Sequence, residues 1–379
     1  MHSKLPDVGT TIFTRMSALA REHGALNLSQ GFPDFPAPLA LREALAHHAL
    51  TGHNQYAPMI GEPALREQVA LQLQRFRGVT ADPVAEITIV PGATEGIFCA
   101  IMALVDRDDE VILLDPCYDS YEPAVRLAGG NAVHVPLRAG SFSIDWERVT
   151  AALSPRSRMI IVNTPHNPTG TVLSADDLDS LQTLAERHDL LVLSDEVYEH
   201  LVFDGNLHHS VLQYPALRQR SVAVYSFGKT YGVTGWKTGY CVAPPGLTGE
   251  LRKVHQFNSF VGVTPVQLAL ADFMAAEPDY PASLPAFYQA KRDLLTRALA
   301  ESRFQLRPSA GTFFQLLDYS AINATPDHEL CERWTVEHGI ASIPVSTFYQ
   351  APPQQYFLRL CFAKQDPLLL QAAEVLCRI

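Results

Sequence analysis

Lys229 stands in Ser226-Phe227-Gly228-Lys229-Thr230, and Gly235-Trp236-Lys237-Thr238-Gly239-Tyr240 follows a few residues on. The lysine falls in a tight, glycine-containing turn just after an apolar strand-like run, Val222-Ala223-Val224-Tyr225. The Ser226 hydroxyl comes three residues before it and a second cation, Lys237, eight after it. These types at these spacings hold an amine beside a phosphate. An amine held so can form a Schiff base with an aldehyde cofactor.

Other segments offer chemistry that would complement such an amine, each with a plainer reading beside it. Pro91-Gly92-Ala93-Thr94-Glu95-Gly96 follows a strand-like run and opens a helical one. Free N–H groups at a helix N-terminus bind phosphate, although the stretch also suits an ordinary β–α turn. Asp195, in Ser194-Asp195-Glu196-Val197-Tyr198, ends an apolar run at the edge where α/β sheets bind ligands. Its carboxylate can pair with a protonated pyridine nitrogen, and Tyr198 can donate to a phenolate oxygen. An isolated aspartate there is more simply an N-cap. Asn167 lies in Asn163-Thr164-Pro165-His166-Asn167-Pro168-Thr169-Gly170, where two X-Pro units fix a non-helical loop and aim its amide. Arg359 interrupts the apolar run Phe357-Leu358-Arg359-Leu360-Cys361-Phe362. A buried arginine needs a partner, and a substrate carboxylate or an internal Asp or Glu would serve equally. Tyr118, after Asp115-Pro116-Cys117, can stack on a flat heteroaromatic ring or simply fill core. The pairs His47-His48 and His208-His209 lack partners at metal spacing and read as surface residues; no metal site is expected.

The elements that must position these residues are legible as alternation. Strand-like runs fall at 86–90, 111–114, 132–135, 158–162, 190–194, 221–225 and 240–242, rich in Val and Ile with few polar interruptions. Such runs suit strands buried on both faces. Helical patterns at 95–104, 121–127 and 175–188 lie between them, the last with Ser174 as N-cap and Asp177 three residues on. The order predicts an α/β domain with a mainly parallel, mixed seven-stranded sheet. Residues 283–302, 313–317, 327–338, 357–362 and 367–377 read as helix, strand, helix, strand, helix, a smaller α+β domain. We therefore expect an N-terminal arm at 1–40 that packs with the small domain. A large cofactor-binding domain should span 41–270 and a small C-terminal domain 271–379. Residues 31–38 are too Pro-rich for regular structure.

Composition narrows the class. The 379 residues are 47% hydrophobic and 18% charged, an ordinary soluble globular chain. The net charge of -11 disfavours a nucleic-acid partner. No run approaches membrane-spanning length, and Lys4, Asp7 and Arg15 leave no secretory pattern. The six cysteines form no C-x-x-C pair and sit in apolar stretches, which suits buried free thiols and a cytoplasmic setting. Neither a P-loop nor a G-x-G-x-x-G follows any strand, which speaks against a nicotinamide dehydrogenase.

Order and spacing together carry a resemblance. Asn163-x-Pro165-x-Asn167-Pro168-x-Gly170, Ser194-Asp195-Glu196-x-Tyr198, Ser226-Phe227-Gly228-Lys229, Gly235-Trp236-Lys237-x-Gly239-Tyr240 and Arg359 resemble the class I, fold type I pyridoxal-phosphate-dependent aminotransferases over nearly the whole chain. Asn27-Leu28-Ser29-Gln30-Gly31-Phe32-Pro33-Asp34-Phe35, Asn54-Gln55-Tyr56 and Ser309-Ala310-Gly311-Thr312-Phe313-Phe314 are similar to its methionine and kynurenine (glutamine–phenylpyruvate) branch. The resemblance implies pyridoxal 5'-phosphate on Lys229, with Asp195 at the ring nitrogen, Tyr198 and Asn167 at the ring oxygen and Tyr118 stacked. It implies a phosphate held by Ala93, Thr94, Ser226 and Lys237, and a substrate carboxylate held by Arg359 with Gly31 and Asn167 nearby. Tyr56 would reach the neighbouring site of a homodimer. The implied reaction is transamination between an amino acid and a 2-oxo acid, and a cysteine-S-conjugate β-lyase would use the same residues. Phe13, Phe32, Phe257, Phe260, Phe313 and Phe348 are candidate pocket aromatics, and no second arginine is evident for a side-chain carboxylate. The chain departs from many relatives at Lys237, where arginine is common, and at Gly232, where side chains are usually larger.

Overall fold

The computed structural model describes residues 3–379. The chain enters through a helix, Ile12–Glu22, and a short strand β1 (Leu26–Asn27). Seven strands of the large sheet follow: β2 (Ile87–Val90), β3 (Glu110–Asp115), β4 (Asn131–Pro136), β5 (Ser157–Asn163), β6 (Leu191–Asp195), β7 (Ser221–Ser226) and β8 (Gly239–Val242). Their order is β2-β8-β7-β6-β5-β3-β4. β8 runs antiparallel to both neighbours and the other pairings are parallel, which is the expected mixed sheet.

The apolar alternation explains the layers. In β3, Val111 and Leu113 face one core, with the helix Ala93–Leu104, while Ile112 and Leu114 face the other. Each such fully buried side chain contributes about 1.5–3 kcal/mol. The helix Ala175–His188 begins at a full capping box, Ser174 with Asp177, as its sequence predicts.

A third core forms on β9 (Gln305–Leu306), β10 (Phe314–Asp318), β11 (Ile340–Ala341), β12 (Ile343–Pro344) and β13 (Phe357–Cys361). The antiparallel order is β12-β13-β10-β9, and β1 pairs parallel with β11. Met16 and Leu28 of the arm are buried in this same core. The arm is thus partly regular, and the irregular stretch narrows to the Pro-rich segment before the helix Leu39–Leu50.

The helix Thr264–Ala276 crosses the expected 270/271 division unbroken. Its Val266, Leu270, Phe273 and Met274 lie in the large-domain core, so that division cuts a packed helix. The helix read at 283–302 runs from Tyr280 to Ala298, because Pro281 is accommodated in the first turn. No helix among the described residues is long and apolar enough to cross a membrane.

Candidate active site

Sheet topology brings the chemistry together. β3, β5, β6 and β7 are parallel, so Asp115, Asn163, Asp195 and Ser226 end at one edge. Antiparallel β8 starts at that edge, with Gly239 opposite both Val90 and Ser226. The segments leaving or entering this edge carry Ala93, Tyr118, Asn167, Tyr198, Lys229 and Lys237.

A cavity of about 330 Å³ opens there. Ala93, Thr94, Ser226 and Lys237 line one end of the predicted set, and Tyr118, Asn167, Asp195, Tyr198 and Lys229 the middle. Gly31 and Arg359 line it as well. Tyr56 does not: it is 85% exposed, with its ring edge-on to Phe260 at 5.6 Å. Of the candidate aromatics, Phe13 and Phe32 line the cavity. Phe257 and Phe260 are exposed elsewhere, and Phe313 and Phe348 are buried behind the wall.

Lys229 Nζ donates to the Gly31 carbonyl at 2.9 Å. Burial drops its pKa from 10.5 to about 8, with Arg359 and Lys237 pushing the same way. The amine is therefore partly unprotonated near neutrality. Asp195 is buried, and burial lifts its carboxyl to about 6. The Tyr121 hydroxyl donates to its Oδ2 at 2.6 Å and the Val197 amide to its Oδ1 at 3.3 Å, which oppose that rise. The local amide contact is what an N-cap reading anticipates; the tyrosine is not. Burial also raises the Tyr198 and Tyr121 hydroxyls far above the ordinary range, so both remain donors.

Arg359 sits on β13 opposite Leu316 and Ile343. It is 1% exposed, yet no carboxylate lies within 4 Å of it among the described residues. It donates to Asn167 Oδ1 at 2.6 Å and to the Ser29 carbonyl at 3.2 Å, and its Nε has no partner. The rings of Phe314, Phe13 and Phe348 flank it at 3.9, 5.2 and 5.3 Å. Burial lowers its pKa to about 10. The internal-ion-pair reading of Arg359 therefore fails, and a guanidinium remains short of an anion.

At the other end, the helix Ala93–Leu104 starts two residues earlier than its pattern suggests. Gly92, at φ 85°, takes the N-cap and places Ala93 and Thr94 in the first turn. Among the described residues their N–H groups bond no other backbone group, and neither Ser226 Oγ nor Lys237 Nζ has a hydrogen-bond partner. A Cβ on Gly92 would meet Lys237 Cε and Nζ at 3.2 Å, and one on Gly239 would meet Ala93 N at 3.0 Å. These glycines keep the cradle open.

Sequence reasoning passed over Tyr121 and Asn163. Tyr121 opens its helix three residues after Tyr118, a position that could have flagged it. Asn163 fixes the loop, with its Oδ1 accepting from Asn167 N and its Nδ2 donating to the Asp195 carbonyl. The surface reading of His208 is corrected. It is buried and lies 2.9 Å from Glu196, because that carboxylate, 0% exposed behind Asp195, needs donors. His48 also packs inward, against Asp272 at 2.6 Å.

The profile of the family Aminotransferase class I and II matches residues 24–376, and the chain belongs to that family. It is an aminotransferase. The chain is 53% identical to the methionine aminotransferase of Escherichia coli (strain K12), over 98% of this chain and 96% of that one. It is 33% identical to kynurenine–oxoglutarate transaminase 1 of Rattus norvegicus, over 98% and 96%. The structure of N-succinyldiaminopimelate aminotransferase from Mycobacterium tuberculosis superposes at a TM-score of 0.97 with 38% identity, over 100% of this chain and 99% of that one.

Proposed function

We propose that the protein is a pyridoxal 5'-phosphate-dependent transaminase for neutral or aromatic L-amino acids of the methionine, glutamine, phenylalanine or kynurenine type, with methionine foremost. The observation that carries this is Arg359, a buried guanidinium that has no carboxylate within 4 Å among the described residues and lines the same cavity as Lys229 and Asp195. It suits a substrate α-carboxylate. The three cations lining the cavity are Lys229, Lys237 and Arg359, each with a role of its own, and Phe13, Phe32, Phe314 and Ile97 supply apolar wall. A donor with a neutral side chain fits such a lining. The similarity to a methionine aminotransferase and to a kynurenine transaminase supports the same choice.

The residues present fit the cofactor. The free N–H groups of Ala93 and Thr94, the Ser226 hydroxyl and the Lys237 ammonium suit a phosphate dianion. Asp195 suits a ring nitrogen, Tyr198 and Asn167 a ring oxygen, and Tyr118 a ring face. When bound, the cofactor supplies a carbonyl that takes up amino groups and a ring that accepts the electron pair left at the α-carbon. The chain does the rest. Arg359 fixes the α-carboxylate and so turns the Cα–H bond toward Lys229. The Lys229 amine, unprotonated at little cost, takes the α-proton and would hand it to the cofactor's carbonyl carbon. Asp195 stays ionised above pH about 6 and holds a proton on its partner nitrogen. A 2-oxo acid then receives the amino group by the reverse sequence.

Tyr56 completing the neighbouring site of a homodimer is part of the same reading, supported by its exposure beside exposed Phe260. Six free cysteines, five of them buried, support a reducing, cytoplasmic setting. The test is a donor panel with a 2-oxo acid acceptor, run on the protein and on Lys229→Ala. Turnover of methionine that vanishes in the variant supports the assignment. Full activity in Lys229→Ala ends it, and pyruvate released from a cysteine conjugate without an acceptor would assign a β-lyase instead.

A further inference from the structure

From Ser29 to Pro33 the arm runs along the cavity with no backbone hydrogen bond to another element among the described residues. Cations take its carbonyls instead. Arg359 donates to Ser29 O at 3.2 Å, Lys229 to Gly31 O at 2.9 Å and Lys364 to Phe32 O at 2.9 Å. Under the function proposed above, Arg359 and Lys229 have other work when substrate arrives. Lys364 does not, since it lies outside the cavity lining.

Lys364 is 3% exposed, and among the described residues no carboxylate lies within 4 Å of its ammonium. A charge removed from water that way must be met by dipoles. Here one residue meets it twice. Lys364 Nζ holds the Phe32 carbonyl and also lies 4.6 Å from the Phe32 ring centroid. Phe32 is 43% exposed and lines the cavity. The following residues dock the arm as well, with Gln365 N donating to Asp34 Oδ1 at 2.7 Å and Asp34 N to the Ala363 carbonyl at 3.3 Å.

We propose that Lys364 is a positioning residue that fixes Phe32 as the wall for the substrate side chain, and thereby sets the preference for large apolar donors. The proposal rests on the transaminase reading of the cavity. When Arg359 turns to a carboxylate and Lys229 to the α-carbon, the Ser29 and Gly31 carbonyls lose their donors. The Phe32 hold persists, so the wall stays in place while its neighbours exchange partners.

The experiment compares Lys364→Met, Lys364→Arg and Phe32→Ala. Hydrogen exchange is followed in the arm peptide spanning 27–36 and in the helix Asp366–Leu376, and KM and kcat are measured for phenylalanine and for alanine. In Lys364→Met the arm peptide should exchange about tenfold faster while the helix is unchanged. KM for phenylalanine should rise about tenfold, with KM for alanine and both kcat values within about twofold. Lys364→Arg should return both readouts toward the parent. Phe32→Ala should lose the phenylalanine preference. Unchanged arm exchange in Lys364→Met overturns the proposal, as does faster exchange with the phenylalanine-to-alanine ratio unmoved. Should Lys364→Met fail to fold, an unaltered preference in Phe32→Ala overturns it too. A parent protein that turns over no donor would remove the transaminase reading, and arm exchange would then decide the Lys364 contact by itself.

Discussion

The role proposed for Lys229 needs a free amine, and its surroundings shift it toward that state. Its pKa falls from 10.5 to about 8 because the folded chain buries it beside two other cations. Between those values the unfolded chain binds a proton that the folded chain does not. Stability must therefore rise with pH across that window and be lowest below it, where the fold carries a buried ammonium. Urea denaturation of the cofactor-free protein at pH about 7 and about 9.5 should show the parent gaining about 2 kcal/mol relative to Lys229→Met. Parallel pH profiles for the two would mean the lysine titrates normally. Arg359 poses the converse case, a cation kept charged without a counterion. Its planar fork suits a carboxylate in a way an ammonium does not. Arg359→Lys should cost about 100-fold in kcat/KM, mainly through KM, for every donor alike. A loss restricted to one donor would place the arginine at the side chain instead.

The elements differ in how openly they declare themselves. Each of the seven strands of the large sheet stands in the sequence to within one residue at either end, because a strand buried on both faces is a continuous apolar run. The helix Ala175–His188 is legible to the residue, since Ser174 and Asp177 mark its start chemically. The helix Ala93–Leu104 is not, because its start depends on Gly92 adopting φ 85°, a conformation no side-chain pattern announces. That start matters most, for it points two free N–H groups at the cradle. Gly239 guards it from the other side: a Cβ there would come 2.4 Å from the Tyr225 carbonyl oxygen and 3.0 Å from Ala93 N. Gly239→Ala must therefore push β8 and the helix start apart. Equilibrium dialysis should find the cofactor bound at least about tenfold more weakly, with a stability loss of about 1–3 kcal/mol. Retained affinity in a destabilised variant would show that the cradle tolerates the shift.

At the scale of the whole molecule, the candidate site was legible because parallel strands deliver their ends to one edge. Asn167, Asp195 and the Lys229–Lys237 segment are well separated in sequence, yet each leaves or enters a strand at that edge. What lay between domains was not legible. Lys229 meets the Gly31 carbonyl of the arm, and Tyr121 touches Asp195 from a helix read only as scaffold. Pairings of this kind depend on tertiary packing and leave no local period. The domain division suffered similarly, since the helix Thr264–Ala276 belongs to the large core by contact rather than by pattern. Tyr56 is the remaining residue proposed for the site, and it lies outside its own cavity at 85% exposure. If it serves a neighbouring subunit, two defective chains should repair each other. Tyr56→Ala weakens the site it reaches, and Lys229→Ala silences its own. In a mixed dimer, the Tyr56→Ala chain keeps Lys229 and receives an intact Tyr56 from its partner. Co-expressed variants, isolated as the heterodimer by two affinity tags, should recover about half the parent activity, one working site in two. Recovery no greater than the sum of the two homodimers would place Tyr56 outside the catalytic assembly.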